Sequence, residues 1–312
     1  MHSKPTAILM GPFVGEFYWE GGRFAPMLPF MKFKEFKKQN HKFIILTREE
    51  RFDLYGRYAD ILVPLRIEGD YVDKFPECFR LQNYSDKDYD KLATKFRSKY
   101  EEEFQIVNHL YPTVAKKRYL DKNQYLNSKM LFQFAPRQQN YDLVNSYLPQ
   151  DEKPLVVLAP RFRVGFKRNW SNWLLFYDIL ASSKLNEEFR FIICGKKNEY
   201  QPDPKKRFLD INDIPLGEKS SLAGFLLVIL EKAFFTFGSQ SSIPNYSLLY
   251  KVNVLEFGCQ KSLHTITYNP MKTPIAFIEN PKYDLAAQDA FAHLEKLLKE
   301  KKKNVISKKR MV

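Results

Sequence analysis

Cysteine is nearly absent: Cys78, Cys194 and Cys259 are the only three in 312 residues. Their number is odd, they are far apart, and no metal-ligand spacing joins them, which excludes a disulfide framework. Cys194 and Cys259 adjoin apolar, strand-like segments, so buried thiols in a reducing cytoplasm are expected. No apolar run approaches the roughly 18 residues of a membrane span. The residues after Met1, His2 to Thr6, do not read as a signal peptide. Histidine is sparse too, and His2, His41, His109, His264 and His293 are scattered without ligand spacing, so no bound metal is expected. Asp86-Lys87-Asp88 has the spacing of a divalent-metal pair, but it lies in a charged, helix-like stretch and reads as a solvated helix start. Neither a Walker A loop nor a GxGxxG fingerprint is present. Signatures of the common nucleic-acid-binding modules are missing as well, and no repeat of fixed short period occurs.

Acidic residues are also in deficit. Asp+Glu number 36 against 50 Lys+Arg, a net charge of +14. Such an excess predicts an anionic partner: a nucleotide, a nucleic acid, an anionic glycan or a membrane surface. The cations cluster at Lys32, Lys34, Lys37, Lys38 and Lys42, at Lys116, Lys117 and Arg118, and in the 299–310 tail, KEKKKNVISKKR. A solvated, lysine-rich surface is the competing account of these groups. With 44% hydrophobic and 15% aromatic residues the chain can bury real cores, and its length suggests two domains.

The alternation of short apolar runs with amphipathic stretches predicts an α/β protein. Strands are expected at Ala7–Met10, Phe43–Leu46 and Ile61–Pro64. Residues 66 to 126, rich in Tyr, Lys, Asp and Glu, read as a helical elaboration with a helix from about Asp86 to Leu110. Gln133 to Pro136 reads as a last strand. The polar stretch 137–153 is the boundary, giving domains 1–150 and 151–312. In the second half, strands are expected at Leu155–Ala159, Phe189–Cys194, Phe234–Phe237 and Val252–Phe257. Helices are expected at 173–185, Leu222–Glu231, Ile243–Tyr250 and 284–302, with a basic tail after them.

Two stretches carry chemistry. In LVVLAPRFRVGFKRNWSNW, a buried strand runs into Arg161, Arg163, Lys167 and Arg168, and Ser171 offers an N-cap for the helix that follows. Cations between a strand's carboxyl end and a helix's amino end favour a phosphate. In GEKSSLAGFLLVILEKAFFTFGSQSS, Lys219 lies in a small polar loop ahead of an apolar helix. A buried strand then opens into Gly238, Ser239, Gln240, Ser241 and Ser242. Small residues let a backbone approach a ligand, and hydroxyls can bond phosphate or ribose. Glu256, read as following a strand at 252–255, could accept from ribose hydroxyls.

The sequence resembles the heptosyltransferase family (ADP-heptose:lipopolysaccharide transferases, glycosyltransferase family 9-like) and related GT-B glycosyltransferases. LGEKSSLAGFL with AFFTFGSQSS is similar to the loop and hydroxyl-rich turn of the family's donor half. PRFRVGFKRNWSNW is similar to its basic loop ending in Trp before a helix, and GPFVGEFYWEGGRFAPML to its Gly-acid loop after the first strand. The blocks come in the family's order and span most of the chain. The chain departs from the family's Asp-Thr-Gly and His at Gly238-Ser239-Gln240 and Ile243, which leaves the donor sugar open.

The resemblance implies two Rossmann-like domains facing across a cleft, in the GT-B manner. It implies an inverting, metal-independent glycosyltransferase, with a nucleotide sugar as co-substrate and no cofactor. Glu16 matches the position of the family's catalytic acid and would take the acceptor hydroxyl's proton. Phe17, Tyr18, Trp19, Glu20 and Arg23 beside it would contact the acceptor, a glycan or glycolipid. Arg161, Arg163, Lys167, Arg168, Lys219, Ser239 to Ser242 and Glu256 would hold the donor. A cytoplasmic enzyme of polysaccharide biosynthesis, with peripheral contact at the inner face of the membrane, follows from that reading. A hydroxylated base in DNA as acceptor, and a nucleic-acid-binding α/β protein without turnover, are the rivals that the charge supports.

Overall fold

The apolar runs at Ala7–Met10 and Phe43–Leu46 are buried end to end. The computed structural model describes residues 4–13, 25, 27–31, 40–65, 94, 97–110, 133–149, 151–162, 169–195, 197, 199–216, 221–258, 269 and 271–310. In it each run is the centre of a longer strand. β1 (Thr6–Phe13) is followed by a short helix α1 (Met27–Phe30), then β2 (Lys42–Thr47), β3 (Ile61–Pro64) and β4 (Gln105–Leu110). All pairings are parallel, in the order β3-β2-β1-β4. One face of this sheet buries Ala7, Leu9, Ile44, Leu46, Val63 and Leu65. Ile8, Met10, Phe43 and Ile45, which alternate with them, are buried as well. Burial on both faces is what removes the polar alternation from a parallel strand.

The chain divides into two compact units, 1–143 with 218–227 and 144–217 with 228–312. In the first, Asp53 is the main polar node. Its carboxylate accepts from the Arg137 backbone N–H at 2.6 Å, the Arg137 guanidinium at 3.1 Å and Asn140 Nδ2 at 3.0 Å. Ser221 Oγ donates to it at 3.3 Å. These contacts fix the start of α2 (Gln138–Tyr147), a helix inside the stretch that the sequence marks only as polar.

The second unit holds β5 (Leu155–Ala159), α3 (Trp173–Ala181), α4 (Leu185–Glu188), β6 (Arg190–Ile193) and β7 (Leu209–Asp210). Then come α5 (Leu222–Lys232), whose first half belongs to the first unit, β8 (Ala233–Ser239) and α6 (Ser242–Leu249). β9 (Asn253–Gly258), β10 (Ile275–Glu279) and α7 (Ala287–Arg310) complete it. The six strands are parallel in the order β10-β9-β8-β5-β6-β7. The chain therefore builds outward from β5 to β7, returns beside β5 at β8, and builds outward the other way. That is the doubly wound order of a Rossmann sheet. An aromatic core covers one face. Trp170 lies 4.8 Å from both Trp173 and Phe257, and Phe176 stacks on Phe237 at 4.8 Å. Among the described residues no helix is long and apolar enough to cross a membrane.

Four expectations need correction, and one strand is new. The helix expected to reach Leu110 gives way at Gln105 to β4, because Ile106, Asn108 and Leu110 alternate and pair beside β1. Gln133 to Pro136 is irregular: the Gln133 N–H goes to Tyr58 Oη at 3.0 Å, not to a ladder, and Pro136 has no N–H to give. Ser171 is not the cap of α3; Asn172 holds that position, and its amide is spent on the Leu285 carbonyl at 2.9 Å. β10 is a strand that no sequence pattern marks, since its residues are half-buried or exposed. The basic tail is not a tail, since α7 runs unbroken to Arg310. Expectations that fall on Asp86, Asp88, Lys116 to Arg118 and most of 24–38 lie outside the described residues.

Candidate functional site

The order of the second sheet fixes where a ligand can enter. β6 leaves β5 on one side and β8 joins it on the other, so the connections from β5 and β8 leave the sheet in opposite directions. In open α/β sheets that switch point, at the strands' carboxyl ends, is the ligand crevice. Here the two ends are Ala159-Pro160-Arg161 and Gly238-Ser239-Gln240. Ala159 and Gly238 are register partners. A Cβ on Gly238 would come within 2.6 Å of Ala159 Cβ and 2.8 Å of its carbonyl oxygen, so the seam admits only glycine there.

Arg161 ties the two strand ends together. Its backbone N–H reaches Ser239 Oγ at 3.3 Å, and its Nη1 donates to the Gln240 carbonyl at 2.9 Å. Ser239 is fully buried, so its hydroxyl is part of this brace. Gln240 donates its own N–H to the Phe257 carbonyl at 2.9 Å, extending the β8–β9 ladder past the strand. Its side chain lies over Gly258, where a Cβ would meet Gln240 Oε1 at 2.8 Å. Ser241 is the N-cap residue of α6 and makes no side-chain cap bond, and Ser242 opens the helix; both are half-buried. The first turn of α6 therefore begins at the switch point, where its amides add to the positive field of Arg161.

The cationic loop is held at both of its ends. On one side, the Phe162 N–H donates to the Glu199 carbonyl at 2.9 Å and the Gln201 N–H to the Pro160 carbonyl at 2.9 Å. The clamping segment follows β6. Tyr200 covers Gly195 so closely that a side chain there would collide with it. Tyr200 Oη donates to Asp210 Oδ2 at 2.9 Å. Burial, and that bond to a carboxylate, push the Tyr200 phenol well up. On the other side, Trp170 is fully buried and its Nε1 donates to the Leu285 carbonyl at 2.7 Å. Arg163, Lys167 and Arg168 lie between these anchors and outside the described residues, as does Lys219.

Glu256 stands inside β9, not after it, and is wholly buried beside Gly238 in the register. Its carboxylate thus offers no accessible surface in this conformation. Glu16, Phe17, Tyr18, Trp19, Glu20 and Arg23 lie outside the described residues. The strand that leads to them is described. Gly11 has φ +98°, a value glycine tolerates and other residues rarely adopt, and His109 Nε2 donates to its carbonyl at 3.0 Å.

The structure thus brings Arg161, Ser239, Gln240, Ser241 and Ser242 into one place. It adds residues that sequence reasoning missed: Gly195, Tyr200 and Asp210, which hold the basic loop's root. Gly195 directly after a strand was a usable signal, since glycine in that position marks close approach of another group. Nothing local marks Tyr200. Cys194 is buried, and burial pushes its thiol well up, which suits a structural role. Among the described residues no three potential metal-ligating side chains come together.

By sequence the chain matches no protein-family model and no curated protein. Its fold is shared with solved glycosyltransferases. The glycosyl transferase family 9 structure from Veillonella parvula DSM 2008 matches at TM-score 0.58 and 11% identity, over 96% of this chain and 99% of that one. E. coli ADP-heptose lps heptosyltransferase II matches at TM-score 0.53 and 13% identity, over 95% and 99%. E. coli heptosyltransferase WaaC with ADP matches at TM-score 0.51 and 14% identity, over 95% and 100%. The likeness is one of fold, α/β with two parallel sheets as in GT-B glycosyltransferases, and it runs the length of the chain.

Proposed function

We propose that the chain is an inverting, metal-independent glycosyltransferase of the cytoplasm that moves a sugar from a nucleotide-sugar donor to a glycan or glycolipid. The observation that carries this reading is the switch point of the second sheet. There Arg161, the Ser239–Ser242 turn and the start of α6 converge between β5 and β8. The shared fold supports it, since the neighbouring structures are named as glycosyltransferases, one of them holding ADP.

In the proposed reaction an acceptor hydroxyl oxygen attacks the donor's anomeric carbon. The bond from that carbon to the diphosphate oxygen breaks, and its electron pair leaves with the diphosphate. Glu16 takes the hydroxyl proton, while Phe17, Tyr18, Trp19, Glu20 and Arg23 orient the acceptor. Negative charge grows on the leaving diphosphate, so cations set in place beforehand lower the barrier. That role falls to Arg163, Lys167 and Arg168, with Lys219 and the α6 amides. Arg161, already bonded to Gln240, supports their loop and adds its charge. Glu256 reaches a ribose only if donor binding uncovers it.

The test is a panel of nucleotide sugars incubated without acceptor. Slow release of nucleoside diphosphate from one donor, undiminished by EDTA, is expected. Release from none of them would overturn the reading, and activity lost in EDTA and restored by Mn²⁺ would overturn its metal independence.

A further inference from the structure

Helix α7 outlasts the domain it packs on. Ala287, Ala290, Leu294 and Leu298 line its buried seam, spaced three and four residues apart as one helix face requires. At Lys301 and Lys302 the helix passes the amino edge of the sheet. Lys301 Nζ donates to the carbonyl of Phe234, the second residue of β8, and to Asn253 Oδ1 at the start of β9. Lys302 pairs with Glu188 at 2.8 Å, just before β6. The helix then continues for residues 303–310, which at 1.5 Å per residue is about 12 Å.

Over those turns the seam does not stop. Val305 follows Leu298 and Lys301 at helical spacing, on the same face, and Ile306 stands beside it. Both are exposed, at 39% and 45%. In sequence Lys303 precedes them and Lys308, Lys309 and Arg310 follow, and no aspartate or glutamate comes after Glu300. Cations at a helix's carboxyl end are explained in part by the macrodipole. The dipole does not explain two aliphatic side chains left in water among them. A duplex nucleic acid would use the cations and leave the aliphatics unsatisfied. An anionic lipid surface uses both, because headgroups take the lysines while the acyl boundary takes the apolar side chains.

We propose that the last two turns of α7 are a docking element for an anionic lipid bilayer, lying at the headgroup boundary with Val305 and Ile306 turned into it. The inference stands apart from the transfer reaction and does not depend on it. It places the contact at the amino edge of the second sheet, opposite the carboxyl edge that carries the candidate site.

The test is co-sedimentation of the full chain with vesicles of phosphatidylcholine alone and of phosphatidylcholine mixed with phosphatidylglycerol, at low and high salt. Binding to the mixed vesicles only, weakened by salt, is expected. A chain with Val305→Ser and Ile306→Ser should bind them about tenfold less, with its melting temperature unchanged because both residues are exposed. A chain with Lys308→Glu and Lys309→Glu should lose binding altogether. Undiminished binding of the serine variant would overturn the proposal, as would no binding by the wild-type chain. Retention on duplex DNA without any on vesicles would overturn it and assign the charge to a nucleic acid. Self-association abolished by the serine substitutions would assign the face to a second copy.

Discussion

Lys301 shows how burial and charge compete at one side chain. Its amine has two oxygen acceptors and lies 4.6 Å from the centre of the Phe234 ring, all of which favour the ammonium. Burial opposes them and prevails, drawing the group down to about 8 from its ordinary 10.5. The folded value lies below the unfolded one. Between the two, the unfolded chain holds a proton that the folded chain has released, so stability rises with pH across that window. Tyr177, Tyr200 and Cys194 are shifted upward and act with the opposite sign at the alkaline end. Comparison of two chains removes their contribution. Denaturation midpoints of wild type and Lys301→Met, taken from pH 7.5 to 10, should diverge in slope, with the wild type alone gaining from this group. Parallel curves would mean that Lys301 keeps its proton throughout.

Among elements, α2 depends on a single side chain. Its entry is fixed by Asp53, a buried carboxylate that receives the Arg137 backbone and guanidinium, Asn140 and Ser221. Gly224 passes so close that a side chain there would collide with Asn140 and Asp53. Asp53→Ala strips a half-buried guanidinium and the buried Asn140 amide of their acceptor together. A loss of about 1.5–3 kcal/mol is expected from removing such a charged acceptor, measurable as a fall in the urea midpoint. A change under 1 kcal/mol would show that Arg137 finds water instead. None of this was legible in the sequence, because Asp53 and Asn140 are 87 positions apart and neither lies in a periodic run. The strands were legible for the opposite reason. A parallel strand buried on both faces is a continuous apolar run, as at Leu155–Ala159, and needs no knowledge of its partners. β4 failed that test: it lies at one end of its sheet's strand order, with exposed Gln105 and Val107 among its residues, and so resembles a polar helix. At the candidate site, Arg161 and Ser239 to Ser242 could be read from a strand–loop–helix context. Tyr200 and the Leu285 carbonyl could not, since each acts through a fold-dependent neighbour.

For the molecule as a whole, the proposed function divides labour between the two units. Lys167 and Arg168 belong to the second, and Glu16 to the first. If cations hold the diphosphate, Lys167→Ala with Arg168→Ala removes two charge-assisted hydrogen bonds, each worth roughly 1.5–3 kcal/mol. Donor binding measured by calorimetry should then weaken at least about tenfold. Glu16→Gln keeps the size of the side chain and its hydrogen bonding but cannot take a proton. Donor affinity should stay within a few-fold of wild type, while turnover drops roughly 10²–10⁴-fold. The pair of variants is informative because only one of them should cost donor affinity. A binding defect accompanied by a fall in rate at saturating donor belongs to the cationic loop, since the same charges bind the diphosphate and stabilise it as it leaves, and a rate defect without loss of binding belongs to Glu16. If Glu16→Gln turns over normally, the base is another residue of its loop, and Glu20→Gln becomes the variant that must be slow. If both glutamates are dispensable, the proton leaves by another route and the proposed chemistry fails, whatever the donor site binds.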